Sequence, residues 1–274
     1  MPGGLYILGR ELTRIFHLGQ PTASRQVWNN YLLIFETTVS PEKISGRQLK
    51  RNVLQLLQQD SPDRFLSELC RLPARQVVNP LFSFLCSLDE KVKWHAVAAM
   101  GAVVSNLAKT NMESARVIMR RFIWQLNDES GGIGWGCPEA MGDTMARNNL
   151  LADEYGSILI SFIRPDGNFL EHEILQRGVL WGVGRLAHER PDLFRNCACL
   201  LIPYLQSNDA ALRGLAVWAA IPLADESVIS LLKRLSNDDS RFTLYRDGQL
   251  GQCSVGQLAQ DAVKDHTLPE DKIK

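Results

Sequence analysis

The chain has no excess of charge: across its 274 residues, 30 Lys and Arg are matched by 30 Asp and Glu. A neutral chain has no general attraction for nucleic acid or an anionic membrane, so neither is an expected partner; a local basic patch is the remaining route. No stretch approaches the roughly eighteen apolar residues of a membrane span. The first residues, MPGGLYILGRELTRIF, place charges where a secretory leader needs an unbroken apolar run, and the expected location is the cytoplasm. The six cysteines (Cys70, Cys86, Cys137, Cys197, Cys199 and Cys253) show neither a CxxC pair nor disulfide-like spacing, which reads as free thiols in a reducing compartment. The five histidines (His17, His95, His172, His188 and His266) have no i,i+4 partner and no HExxH. No metal, no cofactor and no Ser-His-Asp or Cys-His catalytic set is expected.

What the sequence has is repetition. The run Val92-Lys93-Trp94-His95-Ala96-Val97-Ala98-Ala99-Met100-Gly101 defines a ten-residue template: aliphatic, often basic, two variable positions, small, small or apolar, variable, small, aliphatic, usually Gly. It returns from Ile133, Leu175, Leu212 and, more weakly, Val255. The interval is about forty residues, the length of one stacked helix pair. Each template follows a helical stretch: QVVNPLFSFLCSL, ARVIMRRFIWQL, EYGSILISFI, FRNCACLLIPYL or SVISLLKRL. Turns rich in Asn, Asp, Ser or Gly separate the two, stopping one helix and capping the next.

The unit carrying Asp89, Val92, Lys93, Ala96, Ala99 and Gly101 resembles the second helix of a HEAT repeat, of the short HEAT-like type also found in phycobilisome-lyase-type proteins. The stretch VGQLAQDAV from Val255 is similar to that helix in terminal repeats. The resemblance covers roughly Arg75 to Lys264 and rests on repetition rather than on any single copy. It implies an all-α, right-handed α-solenoid of HEAT-like helix pairs whose second helices line a concave surface. It also implies a non-catalytic scaffold that binds a protein or peptide partner.

The array is expected over residues 73–265, in one continuous domain. Residues 1–72 read as an N-terminal helical cap, which a solenoid needs over its open end. Within it, Leu5, Leu8, Leu12, Ile15 and Phe16 form an amphipathic segment, and a helix runs through Val27, Trp28, Tyr31, Leu32 and Phe35. Helical periodicity resumes at Leu49, Val53, Leu56 and Leu57 and again at Phe65, Leu66 and Leu69. One segment departs from helix: residues 242–253 alternate around Asp247-Gly248, the strongest short hairpin signal. A two-stranded insertion at about 241–254, between the helices of the last repeat, is expected to lean on the solenoid, since an isolated hairpin is marginal. Residues 266–274 are polar and expected to be disordered.

Template positions 3 and 7 are four apart and share one helical face. They hold Trp94, Trp135 and Arg177 (position 3) and Glu139, Trp181 and Trp218 (position 7), with Asp143 and Arg185 one turn further on. These eight residues form a stripe across adjacent second helices. One reading makes it a Trp-lined groove for a peptide, helix or flat ligand; the other makes the rings filling between helices where Gly134, Gly136, Gly178 and Gly182 leave room. The turn from Asn127 to Glu139 gathers four glycines around Trp135. Pro138 must lie in the first turn of the following helix, delaying its start. No Gly-Lys-Ser/Thr follows and no strand precedes this turn, so it is neither a phosphate loop nor a dinucleotide fingerprint. Two alternatives accompany the scaffold reading. Trp135 with Glu139, and Arg177 with Trp181, resemble loosely the concave face of HEAT-like alkylpurine DNA glycosylases, which implies Glu139 stabilising a cationic sugar. The repeat type also implies a tetrapyrrole-binding, bilin-lyase-like protein.

Overall fold

The structure, a computed structural model, describes residues 45–127, 134–194, 197–223 and 225–267. The expectations for residues 1–44, for positions 128–133 of the glycine-rich turn and for the tail beyond residue 267 lie outside the described residues.

Two helices open the described chain, α1 (Gly46–Leu57) and α2 (Pro62–Arg71). Helix pairs follow: α3 (Ala74–Leu85) with α4 (Glu90–Thr110), α5 (Met112–Leu126) with α6 (Cys137–Ala146), and α7 (Asn149–Ser161) with α8 (Glu173–Glu189). A broken stretch ending in α9 (Ile202–Leu205) pairs with α10 (Ala210–Ala220), and α11 (Glu226–Leu235) with α12 (Val255–Thr267). The second helices α4, α6, α8, α10 and α12 pack side by side in chain order as an inner layer, each against its own first helix. This is the helical-repeat solenoid that the period implies, with a two-stranded antiparallel hairpin near its C-terminus.

The turns do what their composition suggests. Asp89 accepts from the Val92 N–H, Asn111 from Ser114, Asn148 from Leu151 and Asp209 from Leu212, each satisfying an orphan donor in the first turn of the next helix. Pro138 sits in the first turn of α6, which therefore starts at Cys137 and leaves Trp135 on the turn ahead of it. The stretch FRNCACLLIPYL does not form one helix. A 3-10 turn at Pro191–Phe194 reaches only its first residue, a second lies at Ala198–Leu201, and α geometry begins only at Ile202. Pro203 has no N–H for a carbonyl one turn back and is best placed in the first turn of a helix, where it stands in α9.

The glycine that usually ends the template is where the next repeat comes closest. A Cβ on Gly101 would stand 2.1 Å from the Asp143 carboxylate, one on Gly142 2.4 Å from the Gly182 backbone, and one on Gly184 2.6 Å from the Trp218 ring. Hydrogen at that position sets the spacing of the inner layer.

The hairpin joins α11 to α12. β1 (Arg241–Arg246) pairs antiparallel with β2 (Gln249–Ser254), Arg246 opposite Gln249. Asp247 and Gly248 both have positive φ, 53° and 77°, the two-residue type I′ geometry that Asp-Gly favours. β1 buries Phe242, Leu244 and Tyr245, whereas Gln249 to Gln252 of β2 are exposed. The Phe242 ring fills the space over Gly214 of α10, Tyr245 stacks on Trp94 of α4, and Gly248 at the tip lies against Pro62 of α2. Three residues of strand reach about 10 Å. α10 and α4 are three helix spacings apart, about 24–30 Å if laid flat. With the Phe242 and Tyr245 side chains extending its reach, the hairpin lies across the inner layer from α10 to α4.

The α6–α8 approach has a direct test. Gly142→Ala should cost about 2–3 kcal/mol in denaturant unfolding, because the obstruction is backbone that cannot swing aside. Gly251→Ala, at a site with open space around it, should change stability by less than about 0.5 kcal/mol. Equal effects would mean that the close approach does not set the spacing.

Candidate functional site

Trp94, Trp181 and Trp218 all project from the inner layer, as their spacing implies, and all three are covered: 9%, 3% and 3% exposed. Ring centroids of Trp94 and Trp181 are 4.9 Å apart and those of Trp181 and Trp218 are 5.9 Å apart. Tyr245 closes the cluster from above, stacked on Trp94 at 5.0 Å with 12° between planes and 6.3 Å from Trp181. The rings thus lie beneath the hairpin rather than along an open groove. Each buried ring removes about 150–250 Å² from water, roughly 4–6 kcal/mol before entropy is counted.

The contact between ring cluster and hairpin includes backbone. A two-residue turn makes Arg246 and Gln249 a hydrogen-bonded pair, and alternation then turns the carbonyl of Tyr245 away from β2. The Trp181 Nε1–H donates to that outward carbonyl at 2.8 Å. His188 stacks on Trp218 at 5.1 Å, with its Nε2 3.0 Å from the Trp218 carbonyl, and burial pulls the imidazole below its ordinary range. Trp135, half-buried on the turn before α6, lies apart from this cluster; its carbonyl accepts from the Cys86 thiol at 3.7 Å.

The four charged residues of the stripe clasp neighbouring helices. Glu139 of α6, 3% exposed, meets Lys93 of α4 at 3.1 Å. Asp143 of α6 accepts from Arg185 of α8 at 3.1 Å and from Arg147 at 2.7 Å. Arg177 of α8 pairs with Asp209, the N-cap of α10. Arg213 of α10 continues the series to Asp238, just ahead of the hairpin, at 2.8 Å. The Glu139 carboxylate, chiefly, holds the Lys93 ammonium above its ordinary range against the opposing effect of burial. The ammonium also stands 5.0 Å over the Trp94 ring, so charge cluster and ring cluster adjoin.

Lys93, Asp209 and Tyr245 are the contributors that the stripe omits. The first had a signal, the recurrent basic residue at template position 2. Tyr245 had none, since nothing local says where a hairpin docks.

Four buried polar atoms of this region have no hydrogen-bond partner: Trp135 Nε1, Glu139 Oε2, Arg177 Nε and the Tyr245 hydroxyl. Unsatisfied buried polar atoms are rare enough in native proteins to need a reason. Burial pushes the Cys137 thiol well up, the opposite of nucleophile activation. Among the described residues no three His, Cys, Asp or Glu side chains gather as metal ligands, and no helix is long and apolar enough to cross a membrane. On this face the chain's own extended strand lies against aromatic walls, with an indole N–H aimed at its carbonyl.

No protein-family model matches the chain. An uncharacterized protein of Archaeoglobus fulgidus is 23% identical over 186 residues, covering 68% of this chain and 94% of that protein. Similar solved structures include the designed armadillo repeat protein YIII(Dq)4CqI, with a TM-score of 0.46 and 15% identity over 86% of this chain and 98% of that one. The designed armadillo repeat protein YIII(Dq.V1)4CPAF, solved with the peptide (KR)4, gives 0.41 and 16% over 79% and 99%.

Burial raises the Tyr245 phenol to about 12. A folded value above the ordinary one of about 10 means that the neutral ring's contribution is complete below about pH 10 and is lost as pH rises toward 12. Tyr245→Phe should therefore be neutral, or stabilising by up to about 1 kcal/mol, at pH 7, where it removes only an unpartnered hydroxyl. Between pH 9.5 and 11 the wild type should lose about 1 kcal/mol more than the variant in urea titrations. A parallel alkaline decline for the two proteins would show that the phenol is not held in this cluster.

Proposed function

We propose that the chain is a non-catalytic binding scaffold whose concave inner face takes up an extended segment of a protein or peptide partner, and that its own hairpin occupies this face until a partner replaces it. One observation carries the reading. β1 lies on the tryptophan face as a ligand would, with its outward carbonyl received by Trp181, one ring in the space over Gly214 and another against Trp94. The face therefore offers both features by which extended chains are recognised, a main-chain hydrogen bond and pockets for side chains.

Two features favour exchange over permanent closure. The hairpin holds the face through one strand, while Gln249 to Gln252 of the other are exposed. It also includes an unpartnered buried hydroxyl, so its seat is imperfect. A flipped base or a tetrapyrrole would need the same three rings, and Glu139 is already engaged by Lys93. Neither alternative has an observation of its own.

The test uses a labelled peptide of residues 240–254 and a chain carrying Phe242→Ser and Tyr245→Ser, which loosen the hairpin. The loosened chain should bind the peptide at least tenfold more tightly than wild type, read by fluorescence anisotropy, and adding Trp181→Phe should weaken that binding. A folded variant, with unchanged far-ultraviolet circular dichroism, that takes up no peptide would make the face core and nothing more.

A further inference from the structure

At the opposite end of the molecule from the hairpin's root, α1 carries Arg47, Lys50, Arg51 and Leu54 at i, i+3, i+4 and i+7, on one side of the helix. Its buried residues Leu49, Val53 and Leu57 take the other side. Between the first side and α3 lies a cleft of about 460 Å³, floored by Leu54 and Phe84 and rimmed by the three cations. The Lys50 ammonium stands 5.4 Å from the centre of the Phe84 ring.

Two facts separate this patch from an ordinary solvated helix face. The chain holds as many acids as bases, and its cations elsewhere are mostly matched: Arg116 with Glu154, Arg185 with Asp143, Arg190 with Asp153, Arg213 with Asp238. Arg47, Lys50 and Arg51 have no carboxylate at ion-pairing distance among the described residues; Arg51 donates to the neutral Gln48 side chain at 2.8 Å. They also gather around a shallow, open depression with an aromatic and an aliphatic wall.

We infer that this cleft is a second binding site, separate from the inner face, and that its ligand is an acidic peptide segment with an apolar or aromatic residue beside its carboxylates. The charge is set by three unmatched cations, two of them guanidinium groups suited to paired contacts with a carboxylate. The apolar neighbour is set by Leu54 and Phe84, which line the depression. A nucleic acid fits less well. Its backbone needs a run of cations to follow successive phosphates, and this chain offers three, with no net positive charge behind them.

The full chain is titrated with a labelled Glu-Glu-Leu-Phe-Glu-Glu peptide, its Gln-Gln-Leu-Phe-Gln-Gln counterpart and a single-stranded oligonucleotide, followed by anisotropy at two salt concentrations. Saturable binding of the acidic peptide is expected, at least tenfold tighter than the neutral one and weakened by salt. The variant Arg47→Ser/Lys50→Ser/Arg51→Ser should lose at least tenfold in affinity for the acidic peptide. Its thermal midpoint should be unchanged, since the three side chains are exposed and form no ion pair among the described residues. No saturable binding, equal binding of the neutral peptide, indifference to the triple substitution, or an oligonucleotide bound as tightly as the acidic peptide would each overturn the assignment. The inner-face experiment is independent, because none of these substitutions touches residues that contact the hairpin.

Discussion

Everything distinctive about this molecule depends on the seating of β1 over Trp94 and Trp181. A solenoid is ordinarily a one-dimensional object in which each repeat touches only its neighbours and stability is a sum of local terms. The Trp94–Tyr245 stack and the contact of Gly248 with Pro62 tie the last repeat to the first described helices. These contacts turn an open array into a closed arc. They must overcome the entropy of closing a long loop, which burial of several aromatic rings at one point can do.

The charges belong to the same design. Pairs between α4 and α6, α6 and α8, and α8 and α10 place one clasp at each of these steps of the inner layer, and a further pair joins α10 to the turn before the hairpin. Two of the carboxylates are almost wholly buried, and a buried pair repays its desolvation only in good geometry. Their worth is therefore better sought in register than in net stability. Asp143 fits only because Gly101 has no side chain, and Glu139 only because Gly178 has none. Glycines, carboxylates and ring positions together fix how far each inner helix is rotated against the next, and that rotation delivers three tryptophans to one place.

The repeat, the helix pairs, the caps at Asp89 and Asp209 and the Asp247-Gly248 turn were legible because each is a local pattern of spacing or turn chemistry. The shared direction of Trp94, Trp181 and Trp218 was legible for the same reason. What covers them was not, because the partner is Tyr245, far along the chain, and periodicity gives the direction of a side chain without saying what lies above it. The charged positions fell the same way: helical spacing put Glu139 and Arg177 on the right face, but their partners Lys93 and Asp209 lie on neighbouring repeats and depend on inter-helix register. The segment ending at Leu205 differs from the single helix expected because its apolar residues keep helical spacing while Pro203, lacking an N–H, is seated in the first turn of α9.

The central claim is that the hairpin is a removable occupant of the inner face. Native-state hydrogen exchange of the β1–β2 amides, compared with those of α6 and α8, addresses it most directly. The account predicts that the hairpin amides open locally, at a free energy at least about 2 kcal/mol below that of the inner helices. Exchange of both sets only through the same global unfolding would contradict it and leave the tryptophan face as core.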